Sequence, residues 1–173
     1  MEKFLNVPVF NSIMNGTSVT PVGSADLTDT GDVFANVSVG DIVHQSSDNK
    51  YFLVASKIDS NNLTLTALDG GTTPIVSGKS FFIHSGSSYN NQLVSIGDVG
   101  LIEQLSTSTT TIAYDGPTAT DLVTLVHTPV ASGSEAMRDQ VQEQMEDALI
   151  TSWTDVAPEP VFVNQKVIGI SIG

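Results

Sequence analysis

Cysteine is absent from the 173 residues, so no disulfide, thiolate nucleophile or thiolate metal site can be built. That absence suits assembly in a reducing cytoplasm. Positive charge is also scarce: six Lys and Arg stand against nineteen Asp and Glu, a formal net charge of −13. Nucleic-acid affinity rests on cations that displace counterions from the phosphate backbone, so this balance argues against a DNA or RNA partner. It disfavours an anionic membrane surface for the same reason. No apolar run approaches the ~18 residues needed to cross a bilayer, and MEKFLNVPVF lacks the apolar stretch of a signal peptide. Neither nucleic acid, membrane nor cofactor is expected as a partner.

What is present is a chain that is 40% hydrophobic, enough for a packed interior. Its 14% charged residues fall well below the roughly 25% of an ordinary soluble domain. Ser, Thr, Gly and Asn fill the difference, a mixture typical of β-rich proteins with many tight turns. Candidate strands are Phe4 to Phe10, Ser18 to Val22, Asp41 to Gln45, Tyr51 to Ile58, Leu63 to Leu68 and Ser80 to His84. Further candidates are Leu93 to Ile96, Gly100 to Leu105, Thr109 to Tyr114, Leu122 to His127 and Val161 to Ile172. Turn formers such as Ser47-Asp48-Asn49, Asp59-Ser60-Asn61-Asn62 and Asp69-Gly70-Gly71 separate them. This spacing predicts a mainly β fold, an antiparallel sandwich or barrel-like body. Ser38-Val39-Gly40-Asp41-Ile42 echoes Ser95-Ile96-Gly97-Asp98-Val99, which either a duplicated three-strand meander or generic hairpin chemistry would explain.

One segment has a different period. From Ser134 to Trp153, Met137, Val141, Met145, Ala148, Leu149 and Ser152 fall on one stripe and acidic residues on the other side. This predicts one amphipathic helix over about 134–152, with its stripe packed on a sheet. Ser132-Gly133-Ser134-Glu135 reads as its capping box. Pro158 and Pro160 then impose an extended link to the last strand.

Catalytic patterns are sparse. His44, His84 and His127 sit in or beside apolar strand segments, and none belongs to an HxH or HExxH pattern. There is no GxSxG elbow and no phosphate loop, and the three Asn-x-Ser/Thr sequons read as chance in so Asn- and Thr-rich a chain. The segment DLTDTGDVFANVSVGD crowds Asp26, Asp29, Asp32 and Asp41 around glycine, which raises a calcium loop. The aspartates are spaced three apart, however, and no glutamate follows until Glu103, so the EF-hand pattern fails and turn formation is the better reading. Neither catalytic nor metal-binding residues are expected, and the chain is not expected to be an enzyme.

Three stretches carry a resemblance. FLNVPV, NNQLVSIGDVGLIEQLSTSTTTIAYDG and SEAMRDQVQEQMEDALITSWTDV are similar to a small virion structural protein of marine tailed bacteriophages. LTDTGDVFANVSVGDIV with the later NLTL resembles a β-module common in phage structural proteins. The resemblance implies a core β domain of residues 1–22 and 89–173 that carries the helix, interrupted by an inserted β-module over 23–88. It also implies a capsid decoration, or cement, protein on the outer surface of the virion, assembled in the host cytoplasm. Its expected partners are the major capsid protein and copies of itself, with a homotrimer as the expected form. Phe4, Leu5 and Trp153 are the expected interface anchors, since aromatics dominate interface energetics, although Trp153 reads more readily as a core residue than as an interface one. A tail, neck or fibre-associated component is the nearest alternative. A carbohydrate-binding module is the alternative of another class, and would need exposed aromatics on a sheet or a calcium site.

Overall fold

The structure, a computed structural model, describes residues 3–18, 26–29, 31–69, 78–115, 121–150 and 165–173. The ten strands among the described residues are β1 (Phe4–Thr17), β2 (Asp26–Thr28), β3 (Ile42–Gln45), β4 (Lys50–Lys57), β5 (Asn62–Ala67), β6 (Ser80–Ser95), β7 (Val99–Ser106), β8 (Thr109–Tyr114), β9 (Leu122–His127) and β10 (Val167–Ile172). One helix among the described residues, α1 (Ala136–Ile150), lies between β9 and β10. The fold is mainly β with one amphipathic helix, as the turn spacing and the single 3.6-residue period predict. The strands hydrogen-bond in the order β2-β5-β4-β3-β6 in one part of the chain and β1-β10-β9-β8-β7 in the other. The sheet is mixed, because β1 meets β10 in parallel at Val9 and Val167 while the other registered pairs are antiparallel. Pro8, which has no N–H to give a ladder, immediately precedes that parallel contact.

The chain forms two compact units, Met1–Val9 with Asn90–Gly173, and Phe10–Tyr89. The divisions fall within β1 and β6, so residues 10–22, placed with the core in the sequence-based division, go with the second unit. The first unit buries Leu5, Val7, Ile112, Leu125 and Val167 together with Met137, Val141, Met145 and Ala148 of the helix. The second buries Leu27, Phe34, Val43, Val54, Leu63, Phe81 and Ile83. Each of these side chains larger than alanine contributes roughly 1.5–3 kcal/mol by leaving water.

Two sequence expectations change at β6. Gly86-Ser87-Ser88 reads as a turn, and the strands around it as two separate ones. Instead one strand of 16 residues runs through it. The Ser85 hydroxyl accepts hydrogen bonds from the N–H groups of Ser87 and Ser88, and the backbone around Gly40 closes on Gly86, so the small polar residues mark a close approach within a strand.

The helix is held at both ends by residues distant in sequence. At its N-terminus, Gln104 of β7 accepts hydrogen bonds from the N–H groups of Met137 (3.2 Å) and Arg138 (3.4 Å), and donates to the Ser134 carbonyl at 2.8 Å. Ser134 Oγ accepts from Ala136 N–H at 3.2 Å. Glu135 pairs with Arg138 on the surface. Gln104 thus takes the role expected of the Ser132–Glu135 capping box. The last turn has no basic residue, and Lys3 supplies the missing cation by donating from Nζ to the Ala148 carbonyl. The buried stripe is Met137, Val141, Met145 and Ala148; Leu149, expected on it, is 62% exposed, and Ser152 lies outside the described residues. Removing the cap with Gln104→Ala should cost about 1–2 kcal/mol, the worth of an N-cap. Chemical denaturation followed by far-UV circular dichroism measures it, and an unchanged midpoint would contradict the trans cap.

Candidate functional site

The four aspartates that suggest a calcium loop are held separately. Asp26, on β2, accepts a hydrogen bond from the Thr64 hydroxyl of β5 at 2.9 Å. Asp29 donates its backbone N–H to the Asn61 carbonyl. Asp32 has a positive φ of 58°; its backbone N–H donates to Asn61 Oδ1 at 2.7 Å and its carboxylate accepts from the Ser60 hydroxyl. Asp41 is buried, with one carboxylate oxygen accepting from Ser38 N–H and the other from Gly86 N–H, both at 2.7 Å. The carboxylates of Asp26, Asp32 and Asp41 therefore serve separate protein donors, and among the described residues no three His, Asp or Glu converge as metal ligands. The internal echo also parts at the backbone. In the first copy Gly40 takes a positive φ of 93°, whereas in the second it is Asp98, at 58°. Two different turns thus follow from one short pattern.

The histidines have unlike surroundings. His127, fully buried in the first unit, has Nε2 3.1 Å from Thr110 Oγ1 and Nδ1 2.9 Å from the Thr128 carbonyl, so both ring nitrogens are engaged. Burial lowers its pKa, and the hydrogen bond to Thr128 opposes that only in part. His44 and His84 lie on β3 and β6 of the second unit, and burial lowers both their pKa values. Sequence spacing does not bring these two together, because cross-strand register is set by the fold.

The expected interface anchors are placed differently. Leu5 is 2% exposed and packs in the core of the first unit, so its side chain is not available to a partner. Leu5 and Val7, two apart on β1, share the face that packs into this core, and Asn6 between them is buried as well. Phe4 is half-buried, and Trp153 lies outside the described residues.

Exposed apolar surface collects elsewhere in the first unit. In the β7–β8–β9 ladder Leu101 pairs with Ala113, which pairs with Leu122. Glu103, Thr111, Thr124 and Ser171 make the adjacent row. These side chains alternate with Ile102, Ile112, Val123 and Gln104, which turn towards the core and the helix. Leu101 and Leu105 are 56% and 58% exposed on the face away from the helix, and β7 is the last strand of the sheet. At the end of the helix, Leu149 and Ile150 are also open, Ile150 at 82%. A cleft of about 530 Å³ lies among Leu93, Val94, Tyr114, Val123, Ile170 and Ile172. Tyr114 stands in its wall, donating its hydroxyl proton to the Ser95 carbonyl at 2.7 Å, and burial raises its pKa. Such an arrangement offers apolar contact area and few charges, and the described residues place no nucleophile, base and orienting acid beside it.

Comparison with protein-family models, curated proteins and solved structures found no match. No described helix is long and apolar enough to cross a membrane.

Proposed function

We propose that this chain is a non-enzymatic structural protein of a virion, a decoration or cement protein that binds the outer face of a capsid. The observation that carries the reading is the open face of the first unit. Leu101, Leu105 and Leu122 stand exposed there among Thr and Ser, with Glu103 the one charged side chain in the two rows described, on a chain whose net charge is −13. Exposed apolar side chains grouped on one sheet face mark a protein contact. The strongly acidic remainder favours solubility and keeps the molecule off packaged nucleic acid. Repetition of one modest contact by the symmetry of a shell makes it a strong lattice clamp without a deep pocket. The major capsid protein and other copies of this chain, as a homotrimer, are the partners this reading requires.

Quantitative mass spectrometry of purified virions tests it. A copy number matching the repeated positions of the head lattice supports decoration. A tail-like copy number moves the chain to the tail or neck, and absence from mature virions overturns the structural reading. Adding purified protein back to stripped particles locates the contact. Leu101→Asp with Leu105→Asp should abolish rebinding and change stability by less than about 0.5 kcal/mol per exposed site.

A further inference from the structure

The sheet of the second unit sets two histidines with bare ring nitrogens beside each other. Between β3 and β6, Ile42 lies opposite His84 and His44 opposite Phe82. Residues two apart on a strand share a face, so His44 and His84 are diagonal neighbours on one face. Diagonal pairs are about 7–8 Å apart along the backbone, within reach of long side chains that point towards each other. Charge on His84 lowers the pKa of His44, an electrostatic coupling that needs proximity.

Each imidazole has one nitrogen committed. His44 hydrogen-bonds the Asn49 side chain and His84 the backbone of Phe10, and each bond favours the protonated ring, so the ring N–H donates. The other nitrogens, His44 Nε2 and His84 Nδ1, are buried without a hydrogen-bond partner. They carry the lone pairs of the neutral rings. Metal-binding histidines are built in this way, with one N–H given to an oxygen that sets the tautomer and orientation while the second nitrogen faces the ion. Tyr51 stacks on His44 at 4.3 Å with the ring planes 10° apart, which fixes its plane. His84 is 8% exposed and His44 half-buried, and the two lone-pair nitrogens themselves lie beneath the surface.

We propose that His44 Nε2 and His84 Nδ1 form a two-histidine site for a divalent transition metal of the zinc type, bridging β3 and β6, with water completing the coordination. Neutral imidazole pairs select zinc, copper or nickel over magnesium or calcium. Asn49 and the Phe10 carbonyl are positioning groups, and no described carboxylate supplies a third protein ligand.

Titrating the full-length protein with Zn²⁺ while following the ¹⁵N resonances of the histidine rings tests the proposal on the native chain. One saturable equivalent should shift His44 and His84 and leave His127 unmoved. His44→Gln and His84→Gln should each weaken binding by at least about tenfold. Asn49→Gly, which accepts the positive φ of 50° at that position, should weaken it in the same direction through loss of the ring's anchor. Unmoved His44 and His84 rings at excess Zn²⁺ would overturn the site, as would binding that is equal in both histidine variants. If the variants do not fold, the ring titration of the native protein decides alone. If the two lone pairs hold only a bridging water, the rings stay unmoved and the proposal fails.

Discussion

Gly86→Ala is expected to destabilise the protein by more than about 4 kcal/mol, the range reached when a substitution forces backbone apart. A Cβ at Gly86 would stand 2.0 Å from the Gly40 carbonyl oxygen and 2.6 Å from its carbon. Neither atom belongs to a flexible side chain, so the strand itself must shift. The shift would also break the Gly86 N–H bond to the buried Asp41 carboxylate, at 2.7 Å. A charge-assisted bond of this kind contributes roughly 1.5–3 kcal/mol, and its loss leaves a buried carboxylate short of a donor. Denaturation of wild type and variant by urea measures the difference. A cost below about 1 kcal/mol would mean that the Gly40–Gly86 approach is much looser than described.

Acid is expected to destabilise both units as the pH falls below about 6.5, the ordinary histidine value. His44, His84 and His127 all have folded-state pKa values lowered, with burial the largest cause in each. A depressed histidine pKa means that the unfolded chain takes up protons first. The stabilisation is therefore complete above the unfolded pKa and is lost as pH drops from there towards the folded value. A fully buried ring that stays neutral costs about 1.4 kcal/mol for each pH unit in that window. His84 and His127 should contribute most of this loss, with His44 adding less because its side chain is more open to solvent. Urea midpoints at pH 7.5 and 5.5 test this. Equal midpoints would show that the rings are not held neutral. With Zn²⁺ bound at His44 and His84, the loss should move to lower pH, because the metal competes with the proton.

The hydrophobic pattern carried much of the fold into view. Thr109–Tyr114 and Leu122–His127 are strands with the bounds read from sequence, because short β-branched runs between polar turns have few other outlets. The helix lies within its predicted span, with four of its stripe residues buried. Its ends were less legible. Gln104 is 30 residues before Ser134, and Lys3 is 145 residues before Ala148. A local capping pattern says nothing about side chains that arrive from so far away. The strand through Gly86 was misread for a related reason: small polar residues signal a turn in isolation, but here they admit another stretch of backbone.

The aspartates of DLTDTGDVFANVSVGD were legible as turn formers, since Asp at a tight turn needs only near neighbours. Where each carboxylate finds its donor was not, because Gly86 and Thr64 reach Asp41 and Asp26 through strand pairing. Leu5 shows the same limit at the candidate interface: apolar character identifies a residue that wants to leave water, but only packing decides whether it does so in its own core.

Composition and period alone therefore determined that the protein is acidic, disulfide-free and mainly β with one helix. These properties depend on residue counts and on contacts between near neighbours. Register, capping in trans, the diagonal placement of His44 beside His84 and the exposure of Leu101 and Leu105 were decided by the tertiary structure. Each depends on which distant strands hydrogen-bond, and a shift of one residue in that pairing would turn every side chain to the opposite face.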